Sequence, residues 1–509
     1  MNYLVVRKSM MVFFCCVFSQ FSSAQSGYKI AVNMKNCNDT IAYLTFYQMD
    51  KTYIKDTCKI FEDGKIVFKG KEKLDRGIYS IVNQKKSIVF DFFIDEHTQN
   101  VEFDADATNM ARQAVAKNSN QENDFFKYVK FLTDQNMKFM GEKDKIKGLA
   151  KKDSISKIKA LQKTLERSIE DYESALAENN KSSYFGDFIN LKMERTLKDV
   201  PTASNGRPDS LKVYKYYKSH YWDGVTFKDD AITRNPFFSY KLKKYFDAVV
   251  FPHPDSVTVE IDRIMRLPNQ GTTIFKLLLA HFTATYETTN IMGFEKVFVH
   301  MADAYFKTGK AVGTYEDDVI DRIIKRADKL RPLLLGSVAP ELSMIKAADR
   351  DKIAKMGFEN VKTSAEVTQL FYDHVNEINP LFYKLSNITA DYLVLVFWDV
   401  DCGHCQKEIP KLLDLYHDFQ KEKKDVKVFS VYTQQELDKY LKYIDEKKLD
   451  WINVYDGVHY NNLTEKYDIY STPVIYVLDK NKVIKARRIE VEKIRDIVKD
   501  IEAEYKKVK

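Results

Sequence analysis

The chain has 509 residues, 44% hydrophobic and 30% charged, a balance that supports packed cores and excludes a wholly disordered chain. Its length allows roughly three or four domains. The 80 basic and 73 acidic residues leave a net charge of only +7, too slight a surplus to mark a nucleic-acid-binding protein without a basic face.

Residues 1–24 have the layout of an export signal: Arg7 and Lys8 as a positive start, an apolar run from Met10 to Phe18, then Ser22-Ser23-Ala24 as small cleavage residues. The run is shorter than the ~18–20 residues a spanning helix needs. Phe13 and Phe14 are too bulky for a lipid-attachment box at Cys15 or Cys16. The mature chain is expected to begin at Gln25 with a charge of +5, since residues 1–24 contain two bases and no acid. Four cysteines then remain, Cys37, Cys58, Cys402 and Cys405, and an oxidising compartment permits them two disulfides.

Residues 25–112 read as short strands rich in β-branched and aromatic residues, among them "YKIAVNM", "TIAYLTFYQM", "GIYSIVN" and "SIVFDFFID", separated by polar turns such as "EDGK". That spacing predicts a small antiparallel β-sandwich. Cys37 and Cys58 form a candidate structural disulfide within it, with two reduced core cysteines as the default.

Residues 113–335 change to a helical period. Ile155, Ile158, Leu161, Leu165, Ile169, Tyr172 and Leu176 recur every three or four positions, as on one face of a long amphipathic helix. Further helices are predicted over 184–198, 257–266, 272–288, 294–307 and 316–330, with a loop at Pro201–Ser210. The basic and aromatic stretch Tyr214–Trp222, with His220, reads as one more amphipathic helix and not as a binding patch.

Residues 336–509 alternate strand and helix, which predicts an α/β sheet domain. The run "YLVLVFW" (392–398) is a strand buried on both faces, and a helix follows from about Gly403, with a kink expected at Pro410. Between them lies Cys402-Gly403-His404-Cys405. A second cysteine pair or a nearby His pair would be needed for structural zinc, and neither is present, so no metal is expected. At the opening of a helix, unpaired N–H groups and the positive helix end favour a thiolate, lowering a cysteine pKa from ~8.5 to ~3.5–7.5. Cys405, one turn on, is within reach to resolve a mixed disulfide.

The strand, "FWDVDCGHCQKEIP", the helix and the later "YSTPVIYVLD" together resemble the thioredoxin fold, more narrowly the exported thiol–disulfide oxidoreductases of the TlpA and ResA type. "GSVAPEL" (336–342) is similar to the opening of that domain, and the material between 432 and 455 to the insertion these proteins carry. The resemblance covers roughly the last third of the chain. It implies a nucleophilic Cys402, a resolving Cys405 and a cis Thr472-Pro473 facing them, where a substrate strand can pair. The redox-active Cys402–Cys405 couple would need no metal or organic cofactor. Partners would be cysteine-containing exported proteins, with a membrane or periplasmic electron donor if the protein is a reductant, no nucleic acid, and peripheral or no membrane contact. The expected location is the periplasm, with attachment to the cell envelope left open. The β-domain and helical region resemble domains of unknown function that often precede exported thioredoxin-like domains.

Charges around the pair oppose one another. Protonated His404 would favour the Cys402 thiolate, Asp401 would disfavour it, and Glu408, four residues after His404, could pair with the imidazole. Reductase and isomerase therefore both stay open. Two departures stand out: Asp401 replaces the usual Trp before the first cysteine, and Val396 replaces the usual buried Asp on the strand. The rival from another class is a redox-inactive scaffold. A third, a peroxidase of related fold, would place Thr where Asp399 or Val400 stands.

Overall fold

The computed structural model describes residues 27–96, 98–108, 114–146, 151–181 and 183–508; the leader-like segment 1–24 lies outside them. The chain divides into two compact units, residues 1–243 and 244–509.

In the first unit, seven strands take up the alternating segments: β1 (Tyr28–Lys35), β2 (Ile41–Gln48), β3 (Lys51–Lys59), β4 (Lys65–Gly70), β5 (Gly77–Val82), β6 (Ile88–Ile94) and β7 (Asn100–Asp106); a two-residue β8 (Val115–Ala116) follows. They form two four-stranded sheets, ordered β4-β1-β7-β8 and β3-β2-β5-β6. All pairings are antiparallel except β1 with β7, which is parallel. Ile30, Val32, Phe68, Ile81, Phe92 and Phe103 belong to the core of this unit.

Strand β6 shows why the segment is so rich in phenylalanine. Successive side chains point to opposite faces. The Phe92 ring packs on Phe103 at 5.1 Å, in the sandwich. Phe93 points the other way, onto Phe125 at 4.7 Å and Phe188 at 5.5 Å. These come from helices α1 (Asn120–Lys145) and α3 (Tyr184–Lys192); α2 (Lys151–Asn179) carries the long amphipathic stretch. The first expected helix after it ends at Lys192, short of residue 198, because Met193 turns to extended backbone. Helices α4 (Ser210–His220) and α5 (Pro236–Lys244) follow, α5 reaching the unit boundary.

The second unit opens with α6 (Pro254–Met265), α7 (Thr273–Glu287), α8 (Glu295–Met301) and α9 (Asp317–Leu330). Their apolar stripes meet one another; in α9 the stripe is Ile320, Ile323, Ala327 and Leu330. The predicted 294–307 helix is continuous only to Met301, after which Ala302–Phe306 widens into a π turn.

Next come β9 (Ser343–Lys346), α10 (Arg350–Lys355), α11 (Ser364–Asp373), α12 (Val375–Ile378) and β10 (Phe382–Lys384). Helices α11 and α12 divide the stretch "AEVTQLFYDHVNEI" between them, and α11 opens with a capping box between Thr363 and Glu366. The rest is β11 (Tyr392–Trp398), α13 (Cys405–Lys421), β12 (Val426–Tyr432), α14 (Leu437–Lys447), β13 (Ile452–Tyr455), α15 (Leu463–Tyr467), β14 (Val474–Asp479), β15 (Ile484–Arg487) and α16 (Val491–Val508).

The seven strands form one sheet ordered β10-β9-β13-β12-β11-β14-β15, with β11, β12 and β13 parallel and β14 antiparallel to β11. Strand β11 is central and buried on both faces. Val394, Val396 and Trp398 enter one core with Ile409, Tyr440 and Ile494; Leu393, Leu395 and Phe397 enter the other with Tyr467, Tyr476 and Leu333. That two-sided burial is the reason "YLVLVFW" has no polar residue. Among the described residues no helix is long and apolar enough to cross a membrane.

Candidate active site

The parallel strands end at the edge of the sheet where the chain turns from β11 into α13. In open α/β sheets ligands gather at this edge, beyond the carboxyl ends of the strands. Cys402 sits in that turn, its N–H donating to the Asp399 carbonyl at 3.4 Å. Cys405 begins α13 and is fully buried, whereas Cys402 is only partly so.

The Cys405 N–H donates to Cys402 Sγ at 3.3 Å, and as a thiol Cys402 donates to the Thr472 carbonyl at 3.2 Å. Thr472 reaches it because β14 pairs with β11 so that Val474 lies opposite Phe397. The Thr472-Pro473 peptide just before β14 therefore lies across from the chain leaving β11, and it is cis.

The two thiols are electrostatically unlike. Burial opposes ionisation of Cys402, but hydrogen bonds from the Cys405 and Thr472 side chains and from the backbone N–H groups of Cys405 and His404 outweigh it, so the thiol lies below its ordinary pKa. Burial, then the neighbouring Cys402, pushes Cys405 up to about 12.

Around the pair, Gly403 faces open space and has no positive φ, so no close approach demands a glycine there. His404 is exposed at the start of α13. The expected Glu408–His404 pairing is absent: Glu408 forms an ion pair with Lys411 at 2.7 Å and accepts from the Val491 N–H at 3.4 Å. The start of α16 and a lysine one turn along α13 are both better placed for it than the exposed imidazole. Asp401 pairs with Lys439 of α14 at 2.8 Å, which offsets the charge expected to oppose the thiolate. Val396 is fully buried, so no strand carboxylate stands beneath the cysteines. Trp398 donates from Nε1 to Ser430 Oγ at 2.7 Å, both residues fully buried.

Lys439 escaped the sequence reading because it lies 38 residues from Asp401 and nothing local marks it. It also lines a cleft of about 870 Å³ at the ends of β12 and β13, together with Arg350, Lys362, Gln434 and Tyr455. Cys37 and Cys58 are far from this chemistry in sequence, in the first unit. Both are free thiols in this structure, half-buried against the sandwich core.

Residues 377–487 match the family described as AhpC/TSA. Residues 160–329 match a domain of unknown function, DUF5106, and residues 28–160 another, DUF4369. No curated protein matches the chain. Among solved structures, a domain of a possible thiol-disulfide isomerase from Cytophaga hutchinsonii is 33% identical, over 35% of this chain and 98% of that one, with a TM-score of 0.27. A thioredoxin-like protein from Bacteroides caccae is 20% identical over 59% of this chain and 98% of that one, with a TM-score of 0.41. A thiol:disulfide interchange protein from Bacteroides sp. is 23% identical over 33% and 88%, with a TM-score of 0.23. With a parallel β11–β12–β13 core, paired cysteines at the head of α13 and the family match over residues 377–487, the chain belongs, through its C-terminal domain, to the thioredoxin-like thiol–disulfide oxidoreductases.

Proposed function

We propose that this protein is an exported oxidoreductase of the TlpA and ResA type that reduces or isomerises disulfides in other exported proteins, with Cys402 attacking and Cys405 resolving. The observation that carries the reading is the unequal pair. Cys402 is the accessible thiol, held between the Cys405 N–H and Thr472, and lies below its ordinary pKa, while Cys405 is buried and pushed up to about 12.

The electrons and protons balance as follows. Cys402 thiolate attacks one sulfur of a substrate disulfide; that S–S bond breaks, a mixed disulfide forms, and one substrate thiolate leaves. Cys405 gives up its proton, for which the departing substrate thiolate is the nearest strong base, and attacks Cys402 Sγ. The second substrate thiol is released, and the protein holds a Cys402–Cys405 disulfide. Two electrons have passed to the substrate. No metal or organic cofactor takes part. As a reductant in an oxidising compartment, the protein would need a dithiol donor, membrane-bound or periplasmic, to restore the pair. As an isomerase it would return to the dithiol when the substrate's own thiol attacks the mixed disulfide.

Export and a periplasmic site of action rest on the leader-like residues 1–24. The family name is shared with peroxidases, but Asp399 and Val400 occupy the positions where peroxidases of related fold carry Thr.

The test is Cys405→Ala in the full chain. It should accumulate mixed disulfides through Cys402 with disulfide-bearing proteins, and Cys402→Ala should not. Equilibration with defined thiol buffers then separates the two modes: about −270 mV or lower marks a reductase, and near or above about −180 mV marks an isomerase or oxidase. Absence of both a reversible couple and mixed disulfides would leave the redox-inactive scaffold as the better account.

A further inference from the structure

We infer that helix α9 holds the Thr472–Pro473 loop in place against Cys402 through Arg326 and Asp468, so that the helical segment before the sheet domain shapes the chemistry of a thiol it does not touch. The inference rests on the reading of Cys402 as the attacking group. It makes Arg326 and Asp468 positioning residues.

Asp468 ends α15 in the left-handed region, at φ 59°, and stands four residues before Thr472. Its carboxylate is fully buried, and an unpaired charge there would be costly. Arg326 meets both oxygens, Nη1 on Oδ1 and Nη2 on Oδ2 at 3.1 Å, the two-pronged geometry that fixes orientation as well as distance. Arg488 completes the shell, its Nη2 donating at 2.9 Å to Oδ2 and at 2.9 Å to the Asp468 carbonyl. The Arg488 N–H in turn donates to the Ile475 carbonyl at 2.8 Å. Residues 469–474 are thus bracketed by a polar ring that runs from Asp468 through Arg488 to Ile475.

A second bond from the same helix face grips the loop. Lys329, three residues after Arg326, donates to Glu465 at 3.1 Å and to the Tyr470 hydroxyl, with its ammonium 4.5 Å from the centre of that ring. Helix α9 is itself anchored away from the loop: its apolar stripe is buried, and Arg331 forms a two-pronged pair with Asp303 at 2.7 Å for each bond. The loop is therefore held by a fixed element, and its Thr472 carbonyl lies 3.2 Å from Cys402 Sγ. Displacing Asp468 moves a group whose hydrogen bonding sets the state of that thiol. Arg326 and Lys329 both lie in the stretch 160–329 that matches a domain of unknown function, and this arrangement gives that part of the stretch a task.

The test measures alkylation of Cys402 by iodoacetamide in the full chain, as a function of pH, read by mass spectrometry. The titratable groups around Cys402 are Cys405, His404, Asp399 and Asp401, the last paired with Lys439; none is altered by the variants. Arg326→Ala is expected to move the midpoint by about half a unit or more, about a threefold change in thiolate at neutral pH. Arg326→Lys, which keeps the charge but loses the fork, should recover only part of the difference. Arg331→Ala, which loosens the helix but keeps both of its contacts to the loop, should move the midpoint clearly less than Arg326→Ala does. An unchanged midpoint in folded Arg326→Ala, or an equal shift in Arg331→Ala, overturns the inference. If Arg326→Ala does not fold, Arg326→Lys and Lys329→Met are judged by the same criterion. Failure of the proposed function looks different: the unaltered protein would form no mixed disulfide through Cys402.

Discussion

Glu122 gives the first unit a pH dependence that can be worked out. It lies in the first turn of α1, is fully buried, and accepts the Phe93 N–H of β6 with both oxygens, at 3.1 and 3.2 Å. Burial raises its pKa from the usual 4.5 to about 8, against the smaller opposing effect of the Phe93 hydrogen bond. The folded protein therefore holds this proton more tightly than the unfolded chain, whose glutamates titrate near about 4.3. The resulting stabilisation is fully present below about pH 4 and is lost as the pH rises through about 8. Between pH 5 and pH 8 the loss is about 3–4 kcal/mol, a large share of the ~5–15 kcal/mol that holds a typical domain. Glu122→Gln keeps an oxygen for the Phe93 N–H and removes the titration. Urea unfolding at pH 5 to 9, with a brief proteolysis pulse and mass spectrometry of the β6 peptide, reports the stability of this unit. The unaltered protein should weaken steeply across that range and the variant should not. Equal slopes in the two would refute the reasoning.

Other outcomes follow from the second unit. Cys402 alkylation should rise with pH as a single-proton curve with a midpoint below that of free cysteine, while Cys405, buried and pushed up to about 12, should stay unmodified through pH 10. Lys439→Met removes the partner of Asp401 and should shift the Cys402 midpoint slightly upward at low ionic strength, with the shift fading in 0.5 M salt because the pair is exposed. Ser430→Ala strands the buried Trp398 Nε1 and should cost about 1–3 kcal/mol, seen as a lower unfolding midpoint with the Cys402 alkylation curve unchanged.

The parts of the site that were legible in the sequence are those encoded locally. A seven-residue apolar run followed by Cys402-Gly403-His404-Cys405 announces a strand, a turn and a helix start within a few residues, and Thr472-Pro473 stands at the head of the next apolar run. The illegible parts depend on which distant elements meet. Lys439 reaches Asp401 only because α14 packs beside the end of β11, and Glu408 is drawn to α16, some eighty residues later. The parallel pairing of β1 with β7 likewise cannot be read from alternation, which reports faces and not strand direction. Asp468 had a weak signal: an acid inside the aromatic stretch "KYDIYSTP", whose burial needs cations that lie elsewhere in the chain. Glu122 had none, since an acid in the first turn of a helix is ordinarily read as a solvated cap.

Strand β6, with Phe92 turned inward and Phe93 turned out, bears on how such a protein can be assembled from parts. A fragment ending at residue 112 would keep most of the sandwich core but strip the helices from Phe93, exposing a ring that is otherwise fully buried and leaving its backbone N–H without the carboxylate that satisfies it. A fusion that moved this β-module to another chain would therefore have to carry α1 and α3 with it as a lid, which puts the workable seam well downstream of the last strand.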